Sequence, residues 1–178
     1  MPIPDYSHTR LGDALKHFQK LLDDRLANDF FVPDTAVFES PAEEKLYQLL
    51  INTDFVKHHR SHIHIVTQLN IGEYIRAEFK KQIPRYRVDF LMTLSEKGKE
   101  QTLILEYDGV EFHTRQPERV TRHNFSQQYL EYDVQRQIEL ESYGYRFLRL
   151  NKFTLRPSHP GETSVDLLDR LLRDCFNG

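Results

Sequence analysis

Cysteine occurs once in this chain of 178 residues, at Cys175. No internal disulfide can form, so the fold rests on packing, and a reducing, cytoplasmic setting is expected. Long apolar runs are also lacking: nothing approaches the roughly 20 apolar residues that cross a bilayer. The opening MPIPDYSHTR lacks the basic-then-apolar layout of a secretory leader. There is no large excess of one charge. A net charge of -3 and a pI of about 6.3 argue against a strongly basic coat for nucleic acid. Internal repeats, low-complexity segments, a P-loop and a helix-turn-helix pattern are all absent from the sequence.

What remains is a soluble globular composition, 39% apolar and 29% charged, with enough chain for one core. Residues 9–27 carry Leu11, Leu15, Phe18, Leu22 and Leu26 on one helical stripe. Residues 1–39 are read as this helix and a linker packed on the main body, and residues 40–178 as that body. Ser40-Pro41-Ala42-Glu43 predicts a helix start, with serine at the N-cap, proline at N1 and glutamate at N3. Strands are predicted over 63–69, 85–94 and 102–108, with a polar hairpin loop at 95–100 between the last two. A long polar loop follows over 109–125, then a helix over 126–143 closed by Gly144. A last strand over 145–150 and a terminal amphipathic helix over 164–176 complete the chain. Cys175 falls on that helix and reads as packing.

The centre of interest is Leu103-Ile104-Leu105-Glu106-Tyr107-Asp108-Gly109. Three aliphatic residues read as a buried strand running into two acids. A strand alternates faces with period two, so Glu106 and Asp108 share one face. Two carboxylates side by side in a buried setting require something positive between them, and a divalent metal is the simplest candidate. Antiparallel pairing of 85–94 with 102–108 lets Asp89 converge on them. Lys57 to Arg87 holds seven basic residues (Lys57, Arg60, Arg76, Lys80, Lys81, Arg85, Arg87) against Glu73 and Glu78. This is either a solvated face or a basic flank for phosphate.

Several of these residues also have plain structural readings. Glu43 is explained as a helix cap, and Asp89 as an ion-pair partner of Arg87 or Arg149. Asp133 and Arg136 stand at i, i+3, the spacing of a surface ion pair, with Gln137 one residue beyond. His58 and His62 have helical metal-pair spacing, and His62 and His64 share a strand face, but no third ligand lies nearby in sequence.

The order of these pieces resembles the PD-(D/E)XK nuclease superfamily, and more narrowly the very-short-patch-repair endonucleases and related domains. The matching residues are Ser40-Pro41-Ala42-Glu43, then Arg87-Val88-Asp89-Phe90, then Glu106-Tyr107-Asp108-Gly109 with His113. Asp133 with Arg136, and Gly144-Tyr145-Arg146-Phe147-Leu148-Arg149, complete it. The resemblance covers about residues 40–153. It implies an α/β, restriction-endonuclease-like αβββαβ core: a mixed sheet flanked by helices, with extra N- and C-terminal helices. It also implies a Mg²⁺-dependent DNA endonuclease, Mn²⁺ being a substitute. Asp89, Glu106 and Asp108 would be the metal ligands, and Glu43 and His113 would join them in catalysis. Asp133, Arg136, Gln137, Lys80, Lys81, Arg85 and Arg87 would support the site or contact DNA. The superfamily's lysine is replaced here by Asp108, which leaves the cationic role to His113, Arg136 or the basic region. Such domains work beside helicase or ATPase modules; without a P-loop here, such a motor would be a separate subunit. The alternative is a nuclease-fold module that binds DNA or protein without turnover.

Overall fold

The computed structural model describes residues 38–113 and 115–178; the helix expected over 9–27 lies outside them. The first described helix, α1 (Pro41–Asn52), begins where the sequence predicts. Ser40 Oγ accepts the Glu43 N–H, and the Glu43 carboxylate accepts in return from Ser40 Oγ and the Glu39 N–H. A short α2 (Asp54–His58) follows, capped by Thr53. It ends at His58, so His58 and His62 do not share a helix and the helical metal spacing is not realised.

Four strands form one sheet in the order β1 (Ile63–Leu69), β2 (Val88–Glu96), β3 (Lys99–Tyr107), β4 (Arg146–Leu150). The first two pairings are antiparallel and the third is parallel, so the sheet is mixed. Helix α3 (Ile71–Phe79) links β1 to β2, and α4 (Val110–His113) and α5 (Glu131–Glu141) lie between β3 and β4. Helix α6 (Ser164–Asn177) closes the chain behind a capping box of Thr163 and Asp166.

Alternation along the strands builds two cores. On one face Phe90, Met92, Leu103 and Leu105 pack against α1, α2 and α6 through Leu46, Leu50, Phe55, Leu168 and Leu172. Cys175 joins that cluster, as its apolar reading predicts. On the other face Val66, Leu91 and Ile104 meet α3 and α5 through Ile71, Ile75 and Leu140. Among the described residues, no helix is long and apolar enough to cross a membrane.

Three expected boundaries moved for physical reasons. The β2 strand begins at Val88 rather than 85, because residues 82–87 cross over the start of α3. There the Gly72 N–H donates to the Tyr86 carbonyl at 3.1 Å, and a Cβ on Gly72 would meet Pro84 O at 2.2 Å. The loop expected at 95–100 shrinks to Lys97 and Gly98. Both have positive φ, 50° and 73°, the two-residue hairpin turn whose twist matches its strands. Helix α5 starts at Glu131, not 126, because Leu130 is extended and caps it from outside. Gly144, at φ 90°, ends this region as its position predicts.

Candidate functional site

The second face of the sheet carries acids at one end. Continuing the β2–β3 register past Phe90↔Leu105 sets Asp89 opposite Glu106. Helix α5 delivers Asp133 and Arg136 above them, α1 delivers Glu43 from the side, and α4 delivers His113. Together with Arg85, Arg87 and Asp108 they line an open cleft of about 340 Å³. Six carboxyls (Glu39, Glu43, Asp89, Glu106, Asp108 and Asp133) therefore share one site.

Two arginines answer two of these acids directly. Arg136 grips Glu106 with both forks, Nη1 to Oε1 at 2.7 Å and Nη2 to Oε2 at 2.5 Å, and donates Nη1 to the Arg87 carbonyl. Arg149 holds Asp108 through Nε and Nη2, each at 2.7 Å. It stands in register with Glu106, and its Nη2 is 3.9 Å from Glu106 Oε2. The Tyr129 ring lies 4.4 Å beneath its guanidinium. Glu106 is 3% and Asp108 2% exposed, and bidentate arginine pairs of this kind are what make such burial tolerable. The positive group that the sequence demands between these acids is thus supplied by the chain itself.

Burial lifts the Glu106 carboxyl above its ordinary range, against the pull of Arg136 and Arg149. Burial also opposes the charge on Arg136, yet Glu106 outweighs it and holds the guanidinium protonated. Arg149 is held protonated likewise, chiefly by Asp108.

Asp89 has a different environment. Its Oδ2 accepts the Tyr107 N–H at 2.9 Å, but neither expected arginine reaches it: Arg87 pairs with Glu39 and Arg149 with Asp108. Burial, then the neighbouring charges of Glu106, Glu43 and Asp108, push Asp89 up to about 7, while the Tyr107 N–H pulls it down. Among the described residues no cation pairs with Asp89, and its proton is held more tightly than usual.

Around this pair stand two positioned groups. His113 Nδ1 is 3.1 Å from Asp133 Oδ2, and that hydrogen bond raises the imidazole above its ordinary value. Burial works against the charge on Asp133, but His113 and the two arginines hold it below the usual carboxylate range. Asp133 and Arg136 are 5% and 8% exposed, so their i, i+3 spacing belongs to a buried network rather than to a surface pair. Glu43 does cap α1, and it also receives Gln68 Nε2 at 2.6 Å on Oε2. Gln68 sits in β1 with φ at 54°, a left-handed conformation uncommon for a side chain of this size. This conformation accompanies the amide's contact with Glu43, which lines the cleft. Sequence reading missed Gln68, because nothing in a strand pattern marks a left-handed residue.

Other expected residues lie elsewhere. Gln137 is outside the cleft lining and donates to Glu141 along the surface of α5. Lys80 and Lys81 follow α3 and are exposed; Lys81 lies over the Tyr143 ring, again outside the lining. Arg85 and Arg87 do stand at the cleft mouth, with side chains 62% and 47% exposed.

The donor set bears on which cation the cleft could take. Among the described residues, no three histidine, cysteine, aspartate or glutamate side chains are grouped to hold a metal. Mg²⁺ needs fewer, since it takes one or two carboxylates and completes its octahedron with water and substrate phosphate. Asp89 beside Glu106 fits that description, because a carboxylate gripped by arginine keeps lone pairs on its outer side. Asp108 is gripped in the same way, with both oxygens on Arg149; what sets Glu106 apart is its place opposite Asp89 in the register. Comparison of the chain with protein-family models, with curated proteins and with solved structures finds no match.

Proposed function

We propose that the protein is a metal-dependent DNA nuclease with a restriction-endonuclease-like core, and that Asp89 and Glu106 hold its Mg²⁺. The observation that carries this reading is Asp89 itself. It is a carboxyl crowded by three others in an open cleft, adjacent to Glu106 and, among the described residues, without an arginine of its own. The helix–strand–strand–strand–helix–strand order around it, with α2, α3 and α4 as additions, supports the fold assignment.

A hard cation bound there would polarise a phosphodiester and ready a water for attack. The chain's own groups divide the remaining work. Arg85 and Arg87 extend from the cleft mouth and attract the phosphate backbone. Arg136 and Arg149 hold the acids in place and offset charge, a task for which Asp108 is unsuited. Asp133 accepts the His113 Nδ1–H and leaves Nε2 for proton exchange with an oxygen in the cleft.

The firm arginine grip on Glu106 and Asp108 favours a second reading, a nuclease-fold module that binds DNA without turnover. One experiment separates the two: cleavage of plasmid and single-stranded DNA with Mg²⁺ or Mn²⁺, alongside DNA binding. The nuclease reading expects metal-dependent cleavage that Asp89→Asn and Glu106→Gln each reduce by on the order of a hundredfold or more. Retained DNA binding with no cleavage by the wild-type protein selects the second reading. Loss of both overturns the two together.

A further inference from the structure

The sheet face that carries the acids turns polar a second time at the opposite end of its strands. The register lines up His64 with Thr93 and Thr93 with Thr102 across β1, β2 and β3. Between this row and the acids lies the apolar row of Val66, Leu91 and Ile104, all buried under α3 and α5. A face covered by helices is expected to stay apolar along its length. Here it does not, and a cavity of about 470 Å³ stands over the polar row.

The cavity has its own character. Tyr74 and Phe79 of α3 line it together with Tyr143 and Tyr145, which flank Gly144, and the Phe79 and Tyr143 rings pack with centroids 5.2 Å apart. Glu78 and Glu100 are also in its lining, and both are exposed. Among the described residues no lysine or arginine lines it, and none is shared with the acidic cleft. Thr93 lies four residues along β2 from Asp89, a span of roughly 13 Å.

The two glutamates of the lining give the sign of the ligand. The Tyr145 hydroxyl is driven well above its ordinary value, first by burial and then by Tyr74, Glu78 and Glu100. Beside it, Lys81 Nζ stands 5.5 Å from the centre of the Tyr143 ring, so this ring already engages a cation of the chain itself, which an incoming cation would displace.

We infer that this cavity is a second ligand site, for an organic cation of the alkylammonium or guanidinium class. Glu78 and Glu100 meet the charge, the aromatic walls take the apolar body, and Thr93, Thr102 and His64 supply hydrogen-bonding groups at the floor. Free polyamines and the lysine or arginine side chains of a peptide share this chemistry.

Calorimetric titration of the full chain with spermidine, with N-acetyl-arginine amide and with its neutral isostere N-acetyl-citrulline amide tests the site. Saturable binding of at least one cation is expected, with citrulline amide roughly tenfold or more weaker than the arginine compound. Glu78→Gln with Glu100→Gln should weaken cation binding by a similar factor. Both positions are exposed, so this variant is expected to keep its fold, which circular dichroism checks. Asp89→Asn, in the other cleft, should leave the binding unchanged. Saturation by spermidine alone identifies a free polyamine as the source, and by the arginine compound alone a peptide side chain. The inference is overturned if neither cation saturates or citrulline amide binds equally well. It is likewise overturned if the glutamine variant binds as the wild type does, or if Asp89→Asn abolishes binding. None of these outcomes depends on whether the protein cleaves DNA.

Discussion

Arg149 closes both oxygens of Asp108 at 2.7 Å from a strand on which it stands in register with Glu106. Its side chain is only 10% exposed, so the pair is effectively buried. Removing one partner leaves the other charged and without compensation, which costs about 3–5 kcal/mol. Arg149→Ala should therefore lower the unfolding free energy obtained from urea titration by an amount of that order. Arg149→Met with Asp108→Asn should recover much of the loss. A single-variant loss below about 1 kcal/mol would show that solvent reaches Asp108 more freely than this geometry allows.

The same pair marks the limit of what the sequence discloses. Alternation alone makes Glu106 and Asp108 share a face, and the demand for a positive neighbour follows from that. The identity of the neighbour does not. Arg136 and Arg149 stand 30 and 41 residues further on, and only the parallel register of β4 on β3 brings Arg149 between the acids. A parallel pairing is invisible to a local pattern, whereas the hairpin that aligns Asp89 with Glu106 is encoded by turn residues. For the same reason the sequence reads β1 and the ends of α1 and α6 well. It misjudges the start of β2, where a crossing segment and not an alternation decides the boundary.

Asp89 gives stability a definite pH dependence. Its native value of about 7 lies above the ordinary 3.8, so the folded protein holds this proton more tightly than the unfolded chain. That contribution is fully present below about pH 4 and is lost as pH rises through 7. Wild-type stability should fall from pH 5 to pH 8 by on the order of 1–3 kcal/mol from this group. Asp89→Asn should flatten that segment of the profile. Denaturation midpoints across the range check it, and parallel slopes for the two proteins would count against the shift. If Asp89 holds Mg²⁺ as proposed, the cation should recover wild-type stability at pH 8 and leave Asp89→Asn unaffected.

Gly72 is constrained by its surroundings. Its hypothetical Cβ meets Pro84 O at 2.2 Å and Tyr86 N at 2.6 Å, both backbone atoms that cannot swing away. Gly72→Ala should push residues 84–86 outward and lose the Gly72–Tyr86 hydrogen bond, a destabilisation of about 1–3 kcal/mol. Because that crossing carries Arg85 and Arg87 to the cleft mouth, DNA binding should weaken beyond what the folded fraction explains. A variant with wild-type stability and binding would refute the close packing.

His113 and Asp133 yield the most direct spectroscopic test. The Asp133 hydrogen bond is the largest cause of the raised His113 value, with Asp108 and Asp133 adding charge against burial and Arg149. In NMR titration of its ring proton, His113 should therefore titrate above the ordinary 6.5. The stability it contributes is fully present below that value and fades as pH rises through the native one. Asp133→Asn keeps the size of the side chain but removes the charge, so His113 should titrate lower. Asp108→Asn should lower it less, since Asp108 acts through charge and not through the hydrogen bond. If Asp133→Asn leaves the His113 titration where it is in the wild type, the carboxylate does not orient the imidazole, and the proton-exchange role proposed for Nε2 falls with it.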